Sequence, residues 1–259
     1  MQLTGNTILI TGGGSGIGRG LAEAFHAQGN QVVIAGRRKE VLDETIAANP
    51  GMKSALLDIT DGQAIRSFAD ETIRDFPRLN VVIQNAGIMR LEVLQKGNIA
   101  DAEAIVTTNL LGPIRLTAAL LPHLLKQRSA AIMTVSSGLA FVPMAMTPTY
   151  CATKAAIHSY TQSLRCQVKD TNIQILELIP PYVQTELMGP RQAQDPHAMP
   201  LTEFISETMK ILKTSPNAAE ICVDRVKPLR FAEASGNYDK VFQTFNGRIA
   251  AHEPGAARS

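Results

Sequence analysis

The chain has 259 residues, a formal net charge of +2 and an apolar fraction of 45%. This length fits one α/β domain, and this composition supplies enough apolar material for a buried core. No run of Lys or Arg marks a surface for nucleic acid or membranes, so neither kind of partner is expected. The uncharged stretch Ser129–Cys151 is interrupted by Gly138, Pro143 and Pro148, which argues against a membrane span.

The three cysteines, Cys151, Cys166 and Cys222, match no metal-ligand spacing, and no metal site is predicted. As free thiols they are best interpreted as small hydrophobic side chains. Residues Gln2–Asn6 lead directly into the first apolar run, so no leader peptide is expected. Together these features predict a reduced, cytoplasmic protein.

Short β-branched runs alternate along the chain with segments of helical spacing. This alternation predicts βαβ units and therefore an α/β fold, a Rossmann-like doubly wound parallel sheet with helices on both faces. One domain spanning residues 1–259 is expected. The predicted strands are Thr7–Ile10, Gln31–Ala35, Lys53–Leu57, Val81–Gln84, Ala131–Ser136 and Ile173–Leu178. The predicted helices between them are Gly16–Gln28, Lys39–Asn49, Asp61–Asp75, Ile99–Lys126 and Tyr150–Lys169.

The chain after the sixth strand has weaker patterns. Glu186–Pro200 combines Gly and Pro with polar residues, which predicts an irregular, mobile substrate loop that closes when ligands bind. Helices are predicted at Leu201–Lys213 and at Asn217–Glu233, and the second must tolerate or kink at Pro228. The tail from Ala250 is expected to fray.

A glycine-rich turn, Thr11 to Gly18, follows the first predicted strand and opens a helix, with the spacing Gly12-x-x-x-Gly16-x-Gly18. Glycine permits positive φ, close approach of the backbone to a pyrophosphate, and tight packing of the helix on the strand. The helix N-terminus then offers free N–H groups and a positive dipole end to phosphates. A flexible loop is the alternative, and the position between a strand and a helix disfavours it.

A second cluster of polar residues surrounds Tyr150 and Lys154, which lie four apart and so share one face of a predicted helix. A phenol with a pKa of about 10 is a poor base at neutral pH, and an adjacent cation favours its ionised form. Ser137 lies thirteen residues before Tyr150, at the end of a predicted strand where ligands of open α/β sheets bind. Since neighbouring strand residues face opposite ways, only one of Ser136 and Ser137 can serve. Taken alone, the Tyr-Lys pair is common on solvated helix surfaces.

From Thr7 to Thr185 these motifs resemble the short-chain dehydrogenase/reductase family. The resemblance implies that Tyr150 exchanges a proton with the substrate oxygen and that Ser137, selected over Ser136 by the thirteen-residue spacing, positions that oxygen. Lys154 would lower the tyrosine pKa and hold the nicotinamide ribose, while Asn109 would support a proton relay through water.

The family pattern also covers the Asn85-Ala86-Gly87 turn, although Gln84 stands where Asn is more usual, and it places Asp58 near the adenine ring. Pro180-Pro181 replaces the family's usual Pro-Gly. This pair and the segment Lys227–Phe231 together resemble a bacterial, DltE-like branch of the family. The cofactor-binding residues predicted from the motifs and the resemblance are Gly12, Ser15, Gly16, Ile17, Gly18, Arg37, Asp58, Asn85, Ala86, Gly87, Tyr150, Lys154, Pro180, Val183 and Thr185.

The end of the second strand indicates which dinucleotide binds. An NAD-selective site has a carboxylate there for the ribose 2′-hydroxyl, whereas this chain has Gly36 followed by Arg37 and Arg38. Guanidinium groups suit a 2′-phosphate by charge and geometry. NADP is therefore predicted over NAD, with Arg37 as the better candidate and Ser15 as an added hydroxyl contact. The alternative is that both arginines are exposed charges flanking a helix.

The leading hypothesis is an NADP(H)-dependent oxidoreductase that moves a hydride to or from a small carbonyl or secondary-alcohol substrate. One alternative is a catalytically silent dinucleotide-binding sensor or regulatory protein, which would not need the complete Ser-Tyr-Lys-Asn set. Another is epimerisation or dehydration on the same scaffold, whose sugar-nucleotide branch is longer than 259 residues. The apolar residues between the serine and the tyrosine either line a substrate pocket or pack in a loop. They are Leu139, Phe141, Val142, Met144 and Met146.

The family resemblance also implies self-association. Its members commonly pair through the helices that correspond to Ile99–Lys126 and Tyr150–Lys169. A homodimer or homotetramer with twofold symmetry is therefore expected. Some apolar residues of the second helix, among them Ala155, Ala156, Ile157 and Leu164, must instead cover the sheet.

Overall fold

Seven parallel strands form one sheet in the computed structural model, which describes the backbone of residues 1–251 and the side chains of residues 1–247. The order across the sheet is β3-β2-β1-β4-β5-β6-β7. The strands are β1 Thr7–Thr11, β2 Gln31–Gly36, β3 Lys53–Leu56, β4 Leu79–Gln84, β5 Ala130–Val135, β6 Ile173–Ile179 and β7 Glu220–Cys222. The six predicted strands are confirmed, and the seventh was not anticipated.

Alternate residues of the strands enter two separate hydrophobic cores. In β1, Ile8 and Ile10 belong to one core and Leu9 to the other, and all three are fully buried. A parallel sheet is built from such continuous apolar strands because helices cover both of its faces. The doubly wound α/β fold expected from the sequence is confirmed.

Helices cover the two faces of the sheet. Helices α1, α2 and α8 pack on one face through residues such as Phe25 and Phe204, and α3, α5 and α6 pack on the other through Phe68 and Leu116. The helices are α1 Gly16–His26, α2 Lys39–Ala48, α3 Gly62–Asp75, α4 Ala100–Val106, α5 Gly112–Leu124, α6 Pro148–Gln167, α7 Pro190–Ala193, α8 Leu201–Thr214, α9 Lys227–Arg230 and α10 Tyr238–Ala251.

The helix predicted at Ile99–Lys126 consists of α4 and α5 joined by a π-helical turn at Thr107–Leu111. At Gly112 the chain packs closely on Ile59, since a Cβ there would lie 2.6 Å from the Ile59 Cγ1. The stretch Ala100–Leu124 is long and apolar enough to cross a membrane by length and composition alone. Part of it covers the sheet, where Leu116 is fully buried, and this packing accounts for much of its apolar character.

The prediction of a helix at Asn217–Glu233 is wrong. The segment instead contains β7, a 3-10 turn at Asp224–Val226 and the short α9. Strand β7 forms because Ile221 is fully buried and the strand pairs with β6. Pro228 lies in the first turn of α9, a position that needs no backbone N–H, so it breaks no helix.

The segment Glu186–Pro200 is more ordered than its composition predicts. It contains α7, and its apolar Met199 is 1% exposed. The Met199 N–H donates to the Tyr182 carbonyl, and the Gln184 N–H donates to the Met199 carbonyl, each at 2.8 Å. The prediction of a wholly irregular segment is therefore wrong, whereas its mobility and its closure on bound ligands stay predictions. The tail predicted to fray from Ala250 lies, beyond Ala251, outside the described residues.

Candidate active site

A cavity of about 490 Å³ opens at the carboxyl ends of the strands, around β1 and β4 where the strand order reverses. This reversal is the position at which open α/β sheets bind their ligands. The glycine turn lies at one side of the cavity, and Tyr150 and Lys154 lie at the other. The predicted residues that line it are Gly12, Ser15, Gly16, Ile17, Arg37, Asn85, Ala86, Gly87, Ser137, Tyr150, Lys154, Pro180, Val183 and Thr185.

The glycine turn has the conformation that its sequence requires. Gly12 and Gly16 have φ of +67° and +52°, which side chains other than hydrogen disfavour. Gly18 is not among the residues that line the cavity. A Cβ there would lie 2.3 Å from the Gly12 carbonyl oxygen, so its glycine is required for close packing of α1 on the turn.

Thr11 connects the glycine turn to the end of β4, a role that the sequence did not indicate. Its Oγ1 accepts hydrogen bonds from the backbone N–H groups of Asn85 and Ala86, both at 3.1 Å. The Asn85 side-chain amide donates in return to the carbonyls of Thr11 and Gly12, at 3.2 and 3.3 Å. These bonds hold the two strand ends that frame the cavity in a fixed relative position.

Ser137, Tyr150 and Lys154 all line the cavity, and each is buried. The Ser137 hydroxyl accepts from the Leu139 N–H at 3.1 Å and interacts with the Tyr150 side chain. Lys154 Nζ donates to the Val135 carbonyl at 2.8 Å and lies 5.5 Å from the centroid of the Tyr150 ring. Ser136 also lines the cavity, and its hydroxyl has no hydrogen-bond partner among the described residues.

Burial shifts the titration of both ionisable groups. It raises the pKa of Tyr150, and the interaction with Ser137 opposes this increase only in part. Burial also lowers the pKa of Lys154 to about 8, and attraction to the Glu177 carboxylate opposes that decrease. At neutral pH Tyr150 is therefore a protonated phenol, the form that can donate a proton.

Besides Gly18, the predicted residues Asn109 and Asp58 do not line the cavity. Asn109 lies in the π-helical turn, where its Oδ1 accepts from the Ile88 N–H at 2.9 Å and its Nδ2 donates to the Ile88 carbonyl at 2.8 Å. The Asn109 side chain thus fixes the backbone of Ile88 in the loop after β4. Asp58 is exposed and accepts hydrogen bonds from the backbone and hydroxyl of Thr60, which lower its pKa.

Arg37 and Arg38 both line the cavity beyond the end of β2. Arg38 donates through Nη2 to the Ser15 hydroxyl at 3.1 Å, which places its guanidinium beside the N-terminus of α1. Arg37 interacts electrostatically with Asp58. The sequence favoured Arg37 over Arg38, and in the structure both guanidinium groups lie at the same edge of the cavity.

The loop after β6 is held by Gln192, a residue that no sequence motif indicates. Gln192 is 6% exposed, and its Nε2 donates to the Val183 carbonyl at 2.8 Å and to the Thr185 hydroxyl at 3.1 Å. Its Oε1 accepts from the Met188 N–H at 2.9 Å. One buried amide therefore fixes Val183 and Thr185, both predicted to bind the cofactor.

The chain is similar to known proteins. The model of the short chain dehydrogenase family matches residues 6–196. A protein of Bacillus subtilis (strain 168), described as the uncharacterized oxidoreductase DltE, is 37% identical over 252 residues, covering 95% of this chain and 98% of that protein.

Two solved structures share the fold. A short chain dehydrogenase from Burkholderia cenocepacia J2315 in complex with NADP has a TM-score of 0.79 at 22% identity, covering 95% of this chain and 99% of that one. A short chain dehydrogenase/reductase from Burkholderia phymatum in complex with NAD has a TM-score of 0.77 at 20% identity, covering 100% and 99%. With its family match over residues 6–196 and its DltE-like relative, the chain belongs to the short-chain dehydrogenase/reductase family of oxidoreductases.

Proposed function

We propose that the protein is an NADP(H)-dependent oxidoreductase acting on a small carbonyl or secondary-alcohol substrate. The observation that carries the proposal is one cavity that joins the glycine turn to Ser137, Tyr150 and Lys154. A binding protein without turnover needs the glycine turn, but it has no need for a buried phenol beside a serine and a lysine. The three cysteines form no disulfide, which is consistent with a cytoplasmic location.

The cavity fits a nicotinamide dinucleotide. Glycines with positive φ and the N-terminus of α1 offer backbone N–H groups to a pyrophosphate. Arg37 and Arg38 offer positive charge to a 2′-phosphate, and Val183 and Thr185 line the same cavity. When bound, the dinucleotide supplies or accepts the hydride. Related folds bind either NADP or NAD, so the preference for NADP rests on Gly36 and the two arginines.

The chain's own residues handle the proton. In the direction of reduction, the Tyr150 hydroxyl donates its proton to the substrate oxygen, and the burial that keeps this phenol protonated supports that role. Ser137, which interacts with the phenol, orients the same oxygen. Lys154 contributes positive charge beside the phenol ring. Asn109 supports the proton relay without lining the cavity, because its side chain fixes Ile88 in the loop after β4.

A single assay tests the proposal. Purified protein is incubated with NADPH and a panel of ketones, aldehydes and quinones, and the loss of NADPH absorbance is followed. We expect turnover with at least one class of carbonyl. Saturable NADPH binding without turnover across the whole panel would favour a silent dinucleotide-binding protein.

The pH dependence of the reaction should report Lys154. Because burial lowers its pKa to about 8, the ammonium is present below that pH and is lost as pH rises through it. We expect kcat/KM for NADPH, which reports groups of the free enzyme, to fall above about pH 8. In Lys154→Arg the cation stays charged, and this decrease should disappear from whatever activity remains. A native profile that is flat from pH 7 to 9.5 would contradict the assignment.

The protein should assemble into a homodimer or homotetramer. Small and apolar residues are exposed along two adjacent helical segments, at Leu111, Ala118, Pro122 and Leu125 beside α5 and at Ala152 and Ala155 on α6. Ile157 and Leu164, by contrast, are buried against the sheet.

Light scattering at micromolar concentration should give two or four times the 27.9 kDa chain mass. Ala155→Arg places a charge on the exposed face of α6 and should shift the protein toward the monomer. Gln28→Arg, at an exposed position just after α1, is the matched control and should leave the mass unchanged. A monomeric native protein would contradict this expectation.

A further inference from the structure

A carboxylate is buried in the sheet next to the candidate active site. Glu177 on β6 is 0% exposed, and the preceding alternate residues Ile173 and Ile175 belong to the apolar core beneath α6. Leu176 and Leu178 enter the opposite core, so Glu177 faces α6. Burial of an ionised carboxylate is strongly unfavourable unless other groups compensate for it. The surroundings of Glu177 therefore indicate what it does.

Only part of this carboxylate is compensated by hydrogen bonding. Glu177 Oε2 lies 2.8 Å from His158 Nδ1 on α6. Glu177 Oε1 has no hydrogen-bond partner among the described residues. His158 is itself packed edge-on against the Phe141 ring, 4.8 Å between centroids. One oxygen is thus fixed by an imidazole that is held in position, and the other remains available for an electrostatic contact.

The neighbouring acidic residue is already neutralised. Glu220 on β7 is the register partner of Glu177, and Arg230 binds both of its oxygens, at 2.7 and 2.9 Å. Ligand atoms of His158, Glu177 and Glu220 lie within 4.8 Å of one another, but the bidentate Arg230 already supplies Glu220 with a cation. The titratable and charged groups around the pair of glutamates are Lys154, His158 and Arg165 on α6, Cys222 on β7, and Arg230 after it.

Lys154 is the cation of the candidate active site that interacts with Glu177; Arg230, which is bound to Glu220, is also attracted to Glu177. Lys154 and His158 lie four residues apart on α6, hence on the same face one turn apart. Lys154 Nζ is bonded to the carbonyl of Val135, and the residue before it, Thr134, is the register partner of Glu177. One strand spacing and one residue of rise separate the backbone of Val135 from that of Glu177 by about 6 Å. Attraction to Glu177 raises the pKa of Lys154, against the larger effect of burial.

We propose that Glu177 is a positioning residue of the active site, whose negative charge, oriented by His158, keeps the Lys154 ammonium charged and directed toward Tyr150. The consequence for turnover rests on the proposed hydride-transfer function, but the charge of Lys154 can be measured without it. A purely structural role, in which Glu177 only joins β6 to α6 through His158, would leave the titration of Lys154 unchanged.

The pH profile of the enzyme separates these two roles. Glu177→Gln keeps the volume and a hydrogen-bonding group beside His158 but removes the charge. We expect the decrease in kcat/KM for NADPH to move about one pH unit lower, as loss of an opposite charge predicts. Glu220→Gln, the same substitution at the register partner, should leave the position of the decrease unchanged. An unmoved profile in a folded Glu177→Gln variant overturns the proposal.

A direct titration keeps the test independent of turnover. In protein labelled with ¹³C at the lysine ε-carbons, the Lys154 signal is assigned by its loss in Lys154→Arg and followed against pH. We expect its midpoint to fall in Glu177→Gln and to fall by less in Glu177→Asp, which keeps the charge on a shorter side chain. If Glu177→Gln does not fold, the midpoint of Lys154 in Glu177→Asp still tests the proposal. Equal midpoints in native protein and the folded variants overturn the inference, whereas absence of carbonyl reduction by the native protein overturns only the proposed function.

Discussion

Tyr150→Phe should reduce carbonyl reduction by roughly 10²–10⁴-fold, the range that a positioned proton donor supplies, while NADPH binds almost as tightly as before. The substitution removes only the hydroxyl that interacts with Ser137. The ring, which is 6% exposed, keeps its packing. The affinity for NADPH is measured by fluorescence, and kcat is measured with the best substrate of the carbonyl panel.

Tyr160→Phe is the matched control for that experiment. Tyr160 lies on the same helix and packs on the apolar core on the side of α5 and α6, away from the residues that line the cavity. Its loss of a hydroxyl should leave kcat unchanged. If Tyr150→Phe turned over at the native rate, Tyr150 would have no part in proton transfer.

NADPH should bind more tightly than NADH, and Arg37→Ala should remove most of the difference. A charge-assisted hydrogen bond contributes about 1.5–3 kcal/mol, which corresponds to a roughly 10- to 150-fold loss of NADPH affinity. The affinity for NADH, which has no 2′-phosphate, should not change. Both are measured by titration of the protein with each dinucleotide.

Arg38→Ala is the informative comparison, because Arg38 lines the same edge and is bonded to Ser15. If Arg38→Ala causes the larger loss of NADPH affinity, the guanidinium beside the N-terminus of α1 binds the phosphate and the choice of Arg37 is wrong. Equal affinities of the native protein for NADPH and NADH would contradict the whole argument from Gly36 and the arginines.

The fold was predictable wherever local sequence and final environment agree. Strands such as Thr7–Thr11 are continuous apolar runs because both faces of the sheet are covered. Helix α3 begins where Asp61 can accept from the N–H groups of Gln63 and Ala64, at 2.7 and 3.2 Å, which is the ordinary preference of an N-cap. Strand β7 was missed because three residues carry too little periodicity, and its identity depends on pairing with β6, which is distant in sequence.

The candidate site likewise contains residues that the sequence could predict and residues that it could not. Ser137, Tyr150 and Lys154 have a recognisable spacing, and the structure brings them together. Gln192 has none, since its importance arises only when the loop folds back and three polar groups of the backbone and side chains converge on its amide. Glu177 was equally difficult to predict, because a single glutamate in an apolar strand does not reveal which lysine of the covering helix lies near it.

The close packing of Gly138, the residue after Ser137, makes the C-terminal third of the chain part of the catalytic geometry. A Cβ on Gly138 would lie 2.9 Å from both Leu229 Cδ1 and Val226 Cγ2, so the backbone that carries Ser137 rests directly on residues beyond the family match, which ends at residue 196. A fragment cut at that point would retain the whole Ser-Tyr-Lys set on an unsupported turn. Exchanging the C-terminal segment with that of a relative would likewise alter the placement of Ser137 without touching any catalytic residue.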